Sequence, residues 1–169
     1  MLIGGIYLNF GFYNLVELAL VLCRYFRKTK MISDKSINMD KILVPTDGGK
    51  STVKAAEIAN KQAQKFDAEV HVLCVQELSG PQGNVSGPRV YVPKEDSIIE
   101  DYLHKVVNNL DSNVQYLTTT RKATSASAEI LNYAEEENIN LIVMGTHGKT
   151  GAKRLLIGSV AEKVMRNSK

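Results

Sequence analysis

The 169-residue chain is short of aromatic residues and of cysteine. It contains no tryptophan, and aromatic residues make up 7% of it, too few for the stacking platform with which proteins hold single-stranded nucleic acid. Its two cysteines, Cys23 and Cys74, lie in separate apolar runs and lack the spacing of metal ligands or of a disulfide framework. These absences argue against a secreted disulfide scaffold and a zinc module, and they favour a reducing compartment, the cytoplasm.

Net charge is also absent from most of the chain. Residues 1–30 carry four basic residues and one acidic residue, whereas residues 31–169 carry seventeen of each. A neutral domain offers no electrostatic footprint for nucleic acid, so no nucleic-acid partner is expected. The length and the 44% apolar content fit one globular domain with a packed core.

The N-terminal segment, residues 1–38, is an apolar leader or extension of uncertain status ahead of a domain at residues 39–169. Its apolar part carries a single charge, Glu17, and a basic stretch follows. Three interpretations stay open. The segment is a dispensable extension, with Met31 or Met39 as the true start, or a membrane anchor that leaves the domain in the cytoplasm, or a docking helix.

The domain alternates short apolar runs with amphipathic segments, a pattern typical of βαβ units. Such alternation predicts an α/β fold with a doubly wound parallel sheet, helices on both faces and right-handed crossovers. Ligands bind such sheets beyond the carboxyl ends of the strands. The predicted strands are 41–45, 69–75, 113–119 and 140–145. Four helices are predicted. The first is capped by Ser51 or Thr52, and the others span 95–111, 126–137 and 158–166.

A glycine-rich loop follows the fourth predicted strand and has the chemistry of a phosphate site. Glycines let backbone amides approach an anion closely, and Gly158 with Ser159 opens a helix whose first N–H groups attract phosphate. Ser159 is predicted to cap this helix and to donate its hydroxyl to a phosphate oxygen. The loop is not a Walker A motif, because Val143 stands where that motif requires glycine.

Three blocks of this sequence, in order, resemble the universal stress protein family. The first is Gly145-x2-Gly148-x9-Gly158-Ser159, the glycine pattern of that family's ATP-binding branch. The others are the stretch 42–48, which is similar to the family's first strand and turn, and the stretch 158–164, which is similar to its last helix. The resemblance covers residues 40–168 or so.

The resemblance implies a Rossmann-like fold of the adenine nucleotide alpha hydrolase type, with strand order 3-2-1-4-5 and frequent homodimers. The family's fifth strand is missing here, because the chain stops at Lys169 soon after the last helix. We therefore expect the order 3-2-1-4, a fourth strand left unpaired on one side and a weakened homodimer.

The resemblance also implies ATP as the ligand, accompanied by Mg²⁺ or Mn²⁺. The residues that match the family's ATP-binding positions lie after the first strand, at the end of the second strand, and in the glycine loop with the helix behind it. They are Pro45, Thr46, Asp47, Val75, Met144, Gly145, Thr146, His147, Gly148, Lys149, Thr150, Gly158, Ser159, Val160 and Ala161.

The function expected from these residues is that of a stress-response or signalling module that holds ATP and changes partners with it. A low-turnover ATPase or an autophosphorylating enzyme is one alternative, although no catalytic residue is predicted, because no general base is evident near the γ-phosphate. The other alternative, a membrane-tethered regulatory domain, depends on the leader being a real anchor.

Overall fold

The computed structural model describes residues 6–7, 19–23, 39–78, 96–146 and 157–168. The strands in these ranges are β1 (Ile6–Tyr7), β2 (Ala19–Cys23), β3 (Lys41–Thr46), β4 (Glu69–Glu77), β5 (Tyr116–Ala123) and β6 (Leu141–Gly145). The helices are α1 (Ser51–Phe66), α2 (Asp96–Val107), α3 (Ala126–Glu136) and α4 (Ser159–Asn167).

The strands form one sheet in the order β1-β2-β6-β3-β4-β5. Its four domain strands are mutually parallel, with β3 between β6 and β4, and β5 at the far edge. Counted along the domain, this is the predicted order 3-2-1-4. The parallel strands bring their carboxyl ends to one edge of the sheet, where the sequence places the ligand.

Helices cover both faces of the sheet, as predicted. Alternate residues of a strand point to opposite faces, so Ile42 and Val44 join one core with α1 and α2. Leu43, between them, joins a second core with α3 and α4. Burial on both faces explains why β3 and β6 read as continuous apolar runs rather than as alternating ones.

Several element boundaries differ from the sequence prediction. The third domain strand, predicted at 113–119, is β5 and runs from Tyr116 to Ala123, because its pairing with β4 runs from Val70↔Tyr116 to Glu77↔Ala123. The helix predicted at 95–111 is α2 and ends at Val107, and β4 continues two residues beyond the predicted end at 75. Helix α1 is not capped by Ser51 or Thr52. Its cap residue is Lys50, which makes no side-chain cap hydrogen bond.

The leader contributes strands rather than a docking helix in the part that the structure describes. β1 pairs antiparallel with β2, and β2 pairs antiparallel with β6 from Ala19↔Gly145 to Cys23↔Leu141. The expectation that the fourth domain strand, β6, has an unpaired side is therefore wrong. Within the described ranges, no helix combines the length and the apolar character that crossing a membrane requires. The basic stretch after Cys23 lies outside the described residues.

Candidate functional site

The predicted site residues that the structure describes gather at one edge of the sheet. Pro45 and Thr46 end β3, Val75 lies near the end of β4, and Met144 and Gly145 end β6. These three strands are neighbours, with β3 in the middle. His147, Gly148, Lys149 and Thr150 lie outside the described residues.

The turn after β3 is held by the hydroxyl group of Thr46, which is 6% exposed. Its Oγ1 accepts a hydrogen bond from Gly48 N at 3.1 Å and donates to the backbone oxygen of Tyr102 at 3.3 Å. It also lies 3.2 Å from Oγ1 of Thr52, whose side chain turns inward rather than capping α1. Thr46 therefore shapes the turn from inside the fold, with its hydroxyl directed at protein groups.

Asp47 occupies the exposed corner of the same turn. Its Oδ1 accepts a hydrogen bond from Gly49 N at 2.8 Å, the local bond with which aspartate commonly stabilises a turn. The ligand-contacting role predicted for Asp47 is compatible with this position, since the residue directly follows the carboxyl end of β3.

Helix α2 packs directly on this turn. Gly48 has a φ of +74°, and a Cβ atom at that position would lie 2.2 Å from Cδ1 of Tyr102. Lys105 Nζ donates a hydrogen bond to the Gly48 carbonyl oxygen at 3.0 Å. Tyr102 and Lys105 both lie in the segment 95–111 that the sequence predicts as a helix, but no sequence signal marks the contact of either residue with Gly48.

The two ends of the glycine loop meet directly after β6, at its carboxyl end. The Thr146 backbone oxygen accepts a hydrogen bond from Gly158 N at 2.6 Å, and Thr146 is 1% exposed. This bond fixes the start of α4 beside the carboxyl end of β6. The two residues that flank the glycine loop, Thr146 and Gly158, are therefore in direct contact.

The amino end of α4 is built differently from the prediction. The cap residue is Gly158, with φ −69° and ψ 151°, and Ser159 is the first helical residue. Ser159 is therefore not the cap, although its exposed side chain stands at the helix start. Because the glycine cap has no side chain, it offers no side-chain acceptor to the first amides of α4, which leaves them suited to an external anion.

Some predicted residues turn their side chains into the fold instead. Met144 and Ala161 are buried in the second core, and Val75 and Val160 pack against it. Direct contact between a bound ligand and Met144 or Ala161 would thus rest on their backbone groups.

An open groove of about 690 Å³ lies between α2 and the ends of β4 and β5. Gln76, which is 5% exposed, and Arg121 are among its lining residues. It contains none of the predicted site residues. Among the residues that the structure describes, no group of three histidine, cysteine or acidic side chains is placed to hold a metal ion, so the predicted Mg²⁺ or Mn²⁺ stays a prediction.

The sequence model of the universal stress protein family matches residues 38–169. This chain belongs to that family. The match agrees closely with the span of about 40–168 that the motifs predicted.

Relatives and solved structures in the family resemble the chain over most of its length. Universal stress protein MJ0531 of Methanocaldococcus jannaschii is 34% identical, and the alignment covers 88% of this chain and 89% of the relative. The structure of the universal stress protein UspA from Lactobacillus plantarum has a TM-score of 0.58 at 21% identity, covering 79% of this chain and 94% of that one. A universal stress protein in complex with cAMP has a TM-score of 0.51 at 23% identity, covering 78% and 92%.

The alignment with MJ0531 reaches further than the family domain. Residues 38–169 are less than four fifths of the chain, whereas the alignment covers 88% of it. At least part of the segment ahead of residue 38 therefore has a counterpart in that family member.

Proposed function

We propose that this protein binds an adenine nucleotide at the carboxyl edge of its sheet, with ATP and a divalent cation as the preferred form, and that it acts in the cytoplasm as a stress-response or signalling module. The observation that carries the proposal is the bond from Gly158 N to the Thr146 oxygen. It fixes a glycine-patterned loop to the amino end of a helix, beside the ends of β6 and β3.

The phosphate groups belong at α4. Its first turn has a glycine cap without a side-chain acceptor and an exposed serine hydroxyl, and helix amino ends carry a positive partial charge that favours anions. We assign Gly158, Ser159, Val160 and Ala161 to the phosphates. The loop residues His147, Gly148, Lys149 and Thr150 complete the cradle around ribose and phosphate in this proposal.

The adenosine belongs on the other side of the site, between β3 and β4. There the turn at Pro45, Thr46 and Asp47 follows β3, and Val75 lies near the end of the neighbouring strand β4. Asp47 offers a carboxylate acceptor, the group that suits ribose hydroxyls or the adenine amino group. A solved family member is described in complex with cAMP, which supports adenine and ribose as the shared recognised parts.

The test is a binding titration of the nucleotide-free full chain with ATP, ADP, AMP and cAMP, with GTP as the control base. We expect ATP to bind and GTP to bind much more weakly. Similar affinities for ATP and GTP would contradict adenine recognition. Tighter binding of cAMP or AMP than of ATP would overturn the triphosphate preference while keeping the site.

Gly148→Val is expected to abolish this binding. A β-branched side chain in the glycine loop blocks the close approach of backbone amides to an anion and is poorly tolerated at positive φ. We expect a loss of at least roughly a hundredfold in affinity, or about 2.7 kcal/mol, with the thermal unfolding midpoint little changed. Unchanged affinity in a folded variant would remove the loop from the site.

Ser159→Ala is expected to weaken ATP binding by about 1 kcal/mol, roughly fivefold, through one lost hydrogen bond to phosphate. The matched control is Ser168→Ala at the other end of α4, where the hydroxyl donates to the Met165 oxygen at 3.2 Å. The control should leave affinity unchanged. Equal effects of the two variants would show that α4 acts through stability rather than through a phosphate contact.

A further inference from the structure

Strand β6 has a strand on each side, and the outer one comes from the leader. Its inner side pairs with β3 at Ile42↔Leu141 and Leu43↔Ile142. Its outer side pairs with β2 along five residue pairs, from Ala19↔Gly145 to Cys23↔Leu141. The leader strand therefore occupies the sheet position next to the most deeply buried part of the domain.

The two outer strands of the parallel sheet, β5 and β6, differ in how strongly their free edges would favour pairing with a further strand. β5 is exposed along most of its length and carries Arg121 and Lys122, charged residues that discourage pairing with another chain, although Tyr116 and Leu117 at its start are also exposed. β6 consists of Leu-Ile-Val-Met-Gly, and its first four residues are buried. An apolar strand with unpaired N–H and C=O groups on one side is a template for a further strand, so an uncovered β6 would favour pairing.

The connection from β2 to β3 within one chain is geometrically easy. Cys23 and Ile42 are both register partners of Leu141, on its two sides. Strands in a sheet are about 4.8 Å apart, so these two residues lie two strand spacings apart, about 10 Å. The intervening residues 24–41 can span several times that distance, and β2 needs no long crossover because it runs antiparallel to β6.

We propose that residues 19–23 are a built-in covering strand of this domain, which pairs with the outer side of β6 within the same chain and keeps β6 from pairing with a second copy. β1 in turn pairs with the other side of this strand. The β6 edge is then an interaction surface whose competing partner is another β6, because two identical edges can pair about a two-fold axis. The relative MJ0531, whose alignment extends ahead of residue 38, supports a leader that belongs to the domain. This proposal does not depend on nucleotide binding.

The direct test uses the native Cys23 in the full chain. Leu141→Cys places a second cysteine opposite it, and opposed residues of an antiparallel pair lie within disulfide distance on the same face. Under mild oxidation we expect an intrachain disulfide between Cys23 and the introduced thiol, identified by mass spectrometry of the digested, non-reduced protein. Val143→Cys is the matched control, because its register partner is Val21 and its diagonal distance to Cys23 is too long for a disulfide.

No link in Leu141→Cys, an equal yield in Val143→Cys, or a link that joins two chains would each overturn the proposal. A second variant tests the role of the covered edge. Leu20→Pro with Val21→Pro removes two successive N–H donors from β2, so we expect a larger fraction of dimers than in the wild-type chain by light scattering, and faster hydrogen exchange at residues 141–145 in the chains that remain monomeric. Thr29→Pro with Lys30→Pro, outside β2, is the control.

A double-proline chain that stays monomeric with wild-type exchange at residues 141–145 would show that β2 does not cover this edge. If this variant fails to fold, the cross-link in the otherwise native chain decides the question alone.

Discussion

Gly48→Ala is expected to lower the free energy of unfolding by about 2–5 kcal/mol and to impair nucleotide binding. At φ +74° an L-residue costs about 1–2 kcal/mol relative to the right-handed region. The added Cβ would also lie 2.2 Å from the ring of Tyr102, and overpacking of a filled interior costs about 1–3 kcal/mol. Urea denaturation of the single variant measures the sum.

The two contributions to this loss can be separated with Tyr102→Ala. Without the ring, Gly48→Ala should cost only the backbone part, about 1–2 kcal/mol, so the double variant should lose less than the sum of the single variants. Gly49→Ala is the neighbouring control, since the positive-φ glycine of this turn is Gly48 and not Gly49. Additive losses in the double variant would show that the contact between Gly48 and Tyr102 carries no strain.

Thr46→Val is expected to lower the free energy of unfolding by about 2 kcal/mol, because it keeps the side-chain shape and removes a buried hydroxyl. The hydroxyl accepts from Gly48 N and donates to the Tyr102 oxygen. Its loss leaves the amide of Gly48 without that acceptor in a turn that is buried. Binding of ATP should weaken as well, since the turn would lose one of the hydrogen bonds that hold it against α2.

Thr46→Ser is the matched control for this prediction. It retains the hydroxyl and loses one methyl group, so we expect a smaller loss of about 1 kcal/mol and nearly unchanged affinity for ATP. If the valine variant were as stable as the serine variant, the hydroxyl network would not be what holds the turn. If the valine variant were stable but bound no nucleotide, Thr46 would contact the ligand itself.

The parallel sheet was predictable because strands that are buried on both faces are recognisable in the sequence as short apolar runs. Lys41–Thr46 and Leu141–Gly145 are short apolar runs with both faces covered, and the amphipathic segments between them demand helices. The two helical layers followed from this alternation, and the strand order followed from the family resemblance. The third strand was placed three residues too early, because β5 is a polar edge strand and its start is set by pairing with β4 rather than by composition.

The location of the site was predictable from the sequence, but the contacts that hold its turn and its helix start in place were not. Glycine spacing marked the loop between Gly145 and Gly158, and the structure brings the described ends of that loop together. The contacts of Tyr102 and Lys105 with Gly48 were not predictable, because they join residues more than fifty positions apart that carry no motif. The identity of the α4 cap also depended on backbone angles at Gly158 that a glycine-serine pair leaves open.

The largest difference between the sequence prediction and the structure lies in the leader. Its apolar character and glycines left open an extension, a membrane anchor or a docking helix, and a five-residue apolar run cannot be assigned to a strand without a partner. That partner is β6, and no feature of the leader's own sequence marks this pairing.

The most direct test of nucleotide binding is to express the full chain, purify it without added nucleotide, denature it and identify the released ligand by mass spectrometry, with Gly148→Val treated in parallel. We expect an adenine nucleotide at close to one per chain from the native protein and none from the variant, with ADP in place of ATP indicating slow hydrolysis. A folded native protein that releases no adenine nucleotide, and that also fails to bind added ATP, ADP, AMP or cAMP, would contradict the proposed function.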